Sequence, residues 1–523
     1  MTKRVQIPFI GPLDTSGDQT TFRSSLASSK NSFLDVNSDN TAIIKLRPTV
    51  NGEVFDLSTD MGTLGLSGFV AWDQVFDAKP SSSSDGANGW FLAYSENQNG
   101  DIGDIWCLNA PAETTAGFNN YYDAYYGDIA SGGGEGMQAL STAFYYDRTY
   151  SDGDLAFVTA GKDIYLINWD GTSTPPTFQT WNSVLTTGNV SGDMLSVAPF
   201  RGHIIFTDGD LLYWSDLNDY KSVPAINVAG PDLMNDRVIS LATYRNELLV
   251  GGSRSIEFWQ LTGASGASAI APTVSATLSM GIAPLSNLFV WQDAVYFVNN
   301  KFQVARLQNR EVQILSDPIA NDISPSTFQV NQIYKVGCAY VGDTEFLFVR
   351  ITTSLSGGGK TFVMNIKNGT WSEWTITQGQ GNGADGFPIP ATSANMGATI
   401  GANETDTTKA DRLFMPSLWS GGHDSIPFEV ITAFNDHGSM SHKRSIRLLF
   451  HLKSGEISNL TLEYRDSETD SWKTLGDNVS TIGHIAEFIA LGRYRSRQYR
   501  LTSSATSDIS IGMAEEEIEM QEF

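Results

Sequence analysis

From Gly68 onward the chain runs in short apolar stretches separated by clusters of Gly, Asn, Asp and Ser, and the 3.6-residue period of an amphipathic helix is nearly absent. Strands are therefore expected to dominate. One phrase recurs: an aromatic residue, a short polar turn, an apolar strand, a second turn and another apolar strand. Clear copies start at Tyr150, Phe200, Tyr244 and Trp291, and weaker ones cover Trp90 to Leu108 and Tyr340 to Trp374. The segment before Gly68 differs. It is rich in Ser, Asp, Thr and Asn, with apolar residues only in short groups such as Phe33-Leu34 and Ile43-Ile44, and reads as an extended arm with one or two strands.

The aromatic starts at 150, 200, 244, 291 and 340 lie roughly 44 to 50 residues apart, which is the length of about four short strands with their turns, or one propeller blade. A lone blade cannot bury both faces of its sheet, so blades stack radially and each covers its neighbours. About six fit between Gly68 and Ser425. A row of separate sandwich domains would also give short strands, but without one phrase at one spacing. After Thr375 the sequence turns to Gly, Asn, Ala, Thr and Pro, which reads as long loops on the last blade. Strict alternation then appears at Ile446, Leu448, Phe450 and Leu452 and at Leu460, Leu462 and Tyr464, the pattern of a half-buried sheet. The predicted fold is all-β: an N-terminal extended arm (1–65), a β-propeller (66–428), a C-terminal β-sandwich (429–512) and an acidic tail (513–523).

The chain has 523 residues, beyond the ~250 to 300 at which one ordinary core stops growing, in agreement with a repeat architecture. Lys and Arg total 33 against 58 Asp and Glu, a net charge of −25. Such a field repels phosphate and argues against a protein that grips nucleic acid, although an acidic wall suits a passage through which nucleic acid slides. Cys107 and Cys338 lie far apart with no Cys or His at ligand spacing, which excludes a disulfide scaffold and a structural zinc cluster. No uninterrupted apolar run of ~18 residues occurs, so a soluble chain without membrane insertion is expected.

Candidate chemistry is thin. Ser356-Gly-Gly-Gly-Lys-Thr361 invites a phosphate-loop reading, yet Ser354 stands where the motif needs Gly, and a strand rather than a helix is expected next. Asp35, Asn37 and Asp39 imitate the start of a calcium loop, but Asn40 and Leu46 replace its Gly and Glu. His203, His423, His437, His442, His451 and His484 contain no zinc pair and are expected at surfaces or interfaces, His203 in a hairpin turn. No Gly-x-Ser-x-Gly elbow is present. No catalytic residue, cofactor or metal is expected. A secreted or cell-surface propeller that binds carbohydrate, or hydrolyses it with carboxylates from different blades, is the alternative.

The phrase Glu247-Leu-Leu-Val-Gly-Gly-Ser-Arg-Ser-Ile-Glu-Phe-Trp-Gln-Leu-Thr-Gly263, followed by Gly281-Ile-Ala-Pro284, resembles the signature region of one phage family. This is the packaged-DNA stabilisation protein of short-tailed phages, also described as the tail hub or nozzle. Leu46-Arg47-Pro48, Asn368-Gly-Thr-Trp-Ser-Glu-Trp374 and Leu491-Gly-Arg-Tyr-Arg-Ser-Arg-Gln-Tyr-Arg-Leu501 resemble further stretches of it in the same order. The resemblance implies a propeller with a sandwich tip, a homo-oligomeric ring of six, a head-to-tail adaptor above it, and a tail fibre, spike or needle attached. It also implies a virion protein assembled in the host cytoplasm, with double-stranded DNA passing through the lumen without specific binding.

Two sets of residues are candidates for interaction. Arg254 and Glu257 lie three apart in the signature hairpin, so a regular strand would point them to opposite faces, where each could bond an adjacent blade or subunit. Arg493, Arg495, Arg497 and Arg500 form a basic cluster, the first three expected on one face of a strand. That face would either be a solvated edge or accept acidic surface from a neighbouring subunit.

Overall fold

The computed structural model describes residues 2–7, 13–15, 25–36, 42–56, 69–77, 89–96, 102–110, 141–231, 236–324, 332–375, 391–393, 398–402, 409–414, 426–476 and 485–521, apart from 148, 151, 153, 161–162, 170–176, 191, 285, 354–358, 455–459 and 506–509. Almost every described element is a strand; the longest helical piece is one turn, Ala320–Ile323.

Each clear copy of the repeated phrase becomes part of one antiparallel sheet whose strands follow one another in sequence. Four-stranded sheets span 141–180, 196–229, 238–272 and 289–314. The same order continues in Gln332–Val341, Thr344–Thr353, Gly359–Asn365 and Thr370–Trp374. In the copies at Phe200, Tyr244 and Trp291 the aromatic that opens the phrase closes the first strand, and the turn after it is a hairpin. In Phe200-Arg-Gly-His203 the pair Phe200 and His203 face each other across Arg201 at φ 52° and Gly202 at φ 87°. Positive φ at both turn positions matches the twist of the strands it joins.

The central strands are unbroken apolar runs because both faces are covered. Leu248 and Val250 pack with Phe200, Ile205 and Trp214 of the preceding sheet, while Leu249 packs with Val295 and Phe297 of the following one. Tyr296 and Val298 then face Leu347 and Val349. Polar links between sheets repeat with the same period. Ser141 Oγ accepts the Val197 N–H (3.1 Å), Ser196 Oγ accepts that of Leu241 (3.0 Å), and Ser240 Oγ accepts that of Leu288 (3.1 Å). At the next step Asn287 Oδ1 accepts from Val336 N–H at 2.9 Å.

Two further sheets complete the succession. Phe69–Asp77, Gly89–Glu96 and Ile102–Ala110 form one. The Gly- and Thr-rich region expected to be loops contains Ala391–Ser393, Ala398–Ala402 and Lys409–Phe414, and Thr49–Asp56 from the arm adds their fourth strand. Among the described residues this makes seven sheets, counting the one of 332–374, against about six blades expected. Their first strands touch in turn, and Ala391–Ser393 lies against Phe69–Asp77, which lies against Ser141–Tyr146.

Apart from the short parallel pair Thr187–Gly188 and Ser222–Val223, the remaining strands form two sheets around one core. One has six strands: Ser32–Val36, Ala42–Leu46, Ser510–Met520, Lys443–Ser454 and Ile485–Tyr494 in that order, with Thr2–Ile7 also paired to Ser510–Met520. The other runs Leu26–Lys30, Ile426–Thr432, Gln498–Ala505, Thr461–Arg465 and Lys473–Gly476. Their shared core holds Leu46, Leu448, Phe450 and Ile511 from the first and Phe428, Val430, Leu462 and Leu501 from the second. Two expectations change here. Most of the described arm is strand within these sheets, and the acidic tail is a strand between two others, because Ile511, Ala514 and Ile518 supply it with an inward face. Leu26–Lys30 also pairs with Thr370–Trp374, so this sheet and the sheet of 332–374 form one nine-stranded sheet.

Candidate functional site

The signature hairpin joins two neighbouring sheets. Glu247–Gly252 and Ile256–Leu261 are the middle strands of the 238–272 sheet, and the turn between them wraps a carboxylate: Asp236 Oδ2 accepts the N–H of Arg254 (2.7 Å) and of Ser255 (2.8 Å) and the Ser255 hydroxyl (3.2 Å). Segment 281–284 crosses this turn on its way to the next sheet, with Ile282 N–H bonded to Gly252 O at 2.8 Å and Asn300 N–H to Gly281 O at 3.0 Å. A Cβ on Gly281 would overlap the Ser253 carbonyl and the Arg254 nitrogen, one on Gly251 would overlap Ile282, and one on Gly252 the Asp236 carboxylate. The glycines are therefore required by close approach of backbone and side chain. The two charged residues do different work: Arg254 is exposed in the turn, whereas Glu257 is buried and its Oε2 accepts the Trp259 indole N–H at 2.9 Å.

The C-terminal arginines are not one face of one strand. Arg493 lies in Ile485–Tyr494 and Arg500 in Gln498–Ala505, strands of different sheets, and Arg495 and Ser496 lie in the bend between them. Arg497 turns inward and is 1% exposed, held by Asp466 at 2.7 Å with its guanidinium 4.1 Å from the Tyr464 ring centroid and 4.2 Å from that of Tyr494. Arg500 is bridged to Glu429 (2.7 Å) and Glu463 (3.1 Å). Arg493 and Arg495 are exposed.

Beside Arg497 lies a buried polar centre that the sequence reading missed. Glu516, 0% exposed, accepts bonds from Tyr499 (2.7 Å), Tyr494 (2.9 Å) and His437 Nε2 (3.2 Å). Burial alone would raise its carboxyl pKa, but the bonds from His437 and Tyr499 help to outweigh it and hold the value below the ordinary one. Burial, then Glu516, pushes the Tyr499 hydroxyl well up. Lys443, also 0% exposed, donates to the carbonyls of Arg495 (2.6 Å) and Ser441 (3.1 Å), and burial lowers its pKa. The only signal in the sequence was that Glu516 sits two residues from both Ala514 and Ile518 in an inward period.

Residues 140–333 match the family model described as Phage_stabilise: Bacteriophage P22 Gp10, beta-propeller. This is the family that the signature resembles. The matched segment carries the sheets of 141–180, 196–229, 238–272 and 289–314 and the whole signature. No curated protein matches the chain. Among solved structures, the Chaetomium thermophilum Polycomb Repressive Complex 2 bound to GSK126 is similar at 13% identity over 58% of this chain and 70% of that chain, with a TM-score of 0.33. YCF48 bound to D1 peptide is similar at 9% over 70% and 97% (TM-score 0.34), and an exo-β-1,3-galactanase from Phanerochaete chrysosporium at 10% over 86% and 99% (TM-score 0.25). Likeness at this level assigns neither activity nor substrate.

Two of the other family-like stretches, Leu46-Arg47-Pro48 and Asn368–Trp374, meet at one joint. Arg47, 0% exposed, donates to Asn31 Oδ1 (2.9 Å), Pro48 O (2.8 Å) and Thr375 O (2.9 Å), while Asn31 donates to Pro427 O (2.7 Å). The arm, the end of the 332–374 sheet and the start of the two-sheet unit are thereby locked together. Trp374 adds an indole N–H to Ser32 O at 3.2 Å.

The remaining sequence candidates resolve as structure. Asp35 is bridged to Lys45 at 2.8 Å within a strand pair, which takes it out of a calcium loop, and residues 37–41 lie outside the described residues. Residues 356–358 also lie outside them, and the strand expected after Lys360 is Gly359–Asn365. Two histidines expected at surfaces are buried: His203 bonds Ser215 O at 2.7 Å, and His437 belongs to the centre above. His423, His484 and the side chain of Cys107 fall outside the described residues. Cys338 is a buried free thiol whose pKa burial raises well above the ordinary value. Among the described residues no three of His, Cys, Asp and Glu are placed to hold a metal, and no helix is long and apolar enough to cross a membrane.

Proposed function

We propose that the chain is the tail hub, or nozzle, of a short-tailed phage: a virion protein that closes the DNA conduit after packaging and lets the genome pass at infection. The family match over 140–333 carries this reading, since that family is one of phage proteins with a propeller. In this reading the seven sheets are the blades of a seven-bladed propeller, closed by Thr49–Asp56 on the last blade, and the two-sheet unit is a β-sandwich tip. The working form is a ring, most simply a hexamer, with the head-to-tail adaptor on one side and a fibre, spike or needle around or below. Its action is mechanical and involves no catalysis. The −25 net charge supports a lumen in which Asp and Glu dominate, so that DNA passes unheld.

The test joins native mass spectrometry of the purified chain with a phage lysate lacking it. A closed ring, together with heads that package DNA and then leak it until the protein is added back, is the expected result. A stable monomer that cleaves a glycan panel, or a basic bore, would overturn the reading.

A further inference from the structure

We propose that the corner formed by Arg444, Arg493 and Arg495, with Ile446 and Ile489 beside it, docks a carboxylate-bearing face of a second copy of this chain. The inference rests on the ring proposed above and names the surface through which one subunit meets the next.

Three arginines elsewhere in the two-sheet unit are neutralised by carboxylates within the chain, while Arg465 is held by the Gln498 amide and the Glu468 carbonyl. Arg447 reaches Glu517 at 2.6 Å and Glu487 at 3.6 Å, Arg497 reaches Asp466 at 2.7 Å, and Arg500 lies between Glu429 and Glu463. The corner departs from this rule. Antiparallel register sets Arg444 directly opposite Arg493, and like charges in that position repel. Arg444 meets Glu519 only at 3.9 Å, with both side chains largely in solvent. Arg495 donates to His442 Nε2 at 3.0 Å, an acceptor without negative charge. No described carboxylate pairs with Arg493 or Arg495.

The surroundings fit an interface. Ile485–Tyr494, which carries Arg493, is the edge strand of its six-stranded sheet, whereas Ser32–Val36 at the other edge is turned to the propeller side through Phe33, packed on Phe346, Phe348 and Trp374. Ile489 is 68% exposed, and Ile446 lies in the bulge between Ser445 and Arg447, whose partners are Gly492 and Ile489. Exposed apolar residues flanked by arginine are the composition of an interface core with its rim. Arginine grips carboxylate through two parallel bonds, and a chain of net charge −25 offers carboxylates in excess. Duplex DNA would answer the charge but not the isoleucines, and the overall field repels it.

The double variant Arg493→Glu with Arg495→Glu tests this by native mass spectrometry and light scattering at low and high salt. Lys301→Glu with Lys367→Glu, two exposed lysines in propeller turns, is the charge-matched control, and circular dichroism checks folding. The expected result is a rise of about 100-fold in the concentration at which rings form for the arginine variant alone, with a smaller rise for Arg493→Gln with Arg495→Gln. Rings that persist unchanged in the arginine variants overturn this surface and leave the hub reading standing. A wild-type chain that is monomeric at all concentrations overturns both. Loss of duplex-DNA retention with rings intact also overturns the docking assignment.

Discussion

Between the sheets of 196–229, 238–272 and 289–314 the core contacts are apolar on both faces and the buried links are neutral, as in Ser196 to Leu241 and Ser240 to Leu288, while the ion pairs Arg245–Asp293 and Arg310–Glu247 stay at partly exposed strand ends. The 238–272 sheet buries one charge, Glu257, whereas in the two-sheet unit a glutamate, a lysine and an arginine are buried together, Glu516 and Lys443 near Tyr494 and Arg497 against Asp466. The difference follows from geometry. A sheet stacked between two others has no solvent face on which to place charge, so its sequence is an apolar run and its fastening is a hydroxyl or a glycine. A sheet covered on one side keeps an outer face of ion pairs, and where strands converge some of those charges are carried inside. The propeller side should therefore be less sensitive to pH in its core and intolerant of added volume, and the two-sheet unit the reverse.

Gly281→Ala should give the largest effect, because its Cβ meets backbone atoms of Ser253 and Arg254 that cannot rotate away. A loss of about 3 kcal/mol or more in urea unfolding, equal at pH 5 and pH 8, is expected. A tolerated alanine would show that the signature glycines are not welded as described.

Glu516→Gln comes next, with a loss of roughly 2 kcal/mol at neutral pH from weakened bonds to Tyr494, Tyr499 and His437. The folded carboxyl lies below its ordinary 4.5, so its contribution is fully present above that value and disappears as pH falls through the depressed one. Thermal unfolding of the wild type should therefore steepen in acid, and the variant should flatten that slope. An unchanged slope would place the acid sensitivity elsewhere.

Ser240→Ala is the smallest, about 1 kcal/mol for one lost bond to Leu288 N–H, with no pH dependence. A pH-dependent loss at Ser240 would break the contrast between the two regions.

Much of the propeller was legible because its information is local. The turn after Phe200, Tyr244 or Trp291 and the apolar run that follows need no distant partner to be recognised, and their spacing counts the sheets. The seventh sheet was not legible. Ala398–Ala402 reads Ala-Thr-Ile-Gly-Ala, without alternation, and its neighbour's outer partner, Thr49–Asp56, comes from the far end of the chain. The last strand hid for a similar reason: Glu515, Glu516, Glu517 and Glu519 look like a solvated tail until Arg4, Arg444 and Arg447 are placed beside the outward three. At the basic cluster, spacing alone set Arg493, Arg495 and Arg497 on one face, and the bend at 495–496, which leads from one sheet to the other, redistributed them.

The nine-stranded sheet has a consequence for motion. Leu26–Lys30 lies between Thr370–Trp374 and Ile426–Thr432, and Arg47 and Asn31 bolt the same place from the side. Swivelling the two-sheet unit against the sheet of 332–374 would break the Lys30–Glu373 pairing and the bonds of Asn31 and Arg47 together, a steeper cost than bending a linker. A push on the two-sheet unit is thus passed to that sheet as torque.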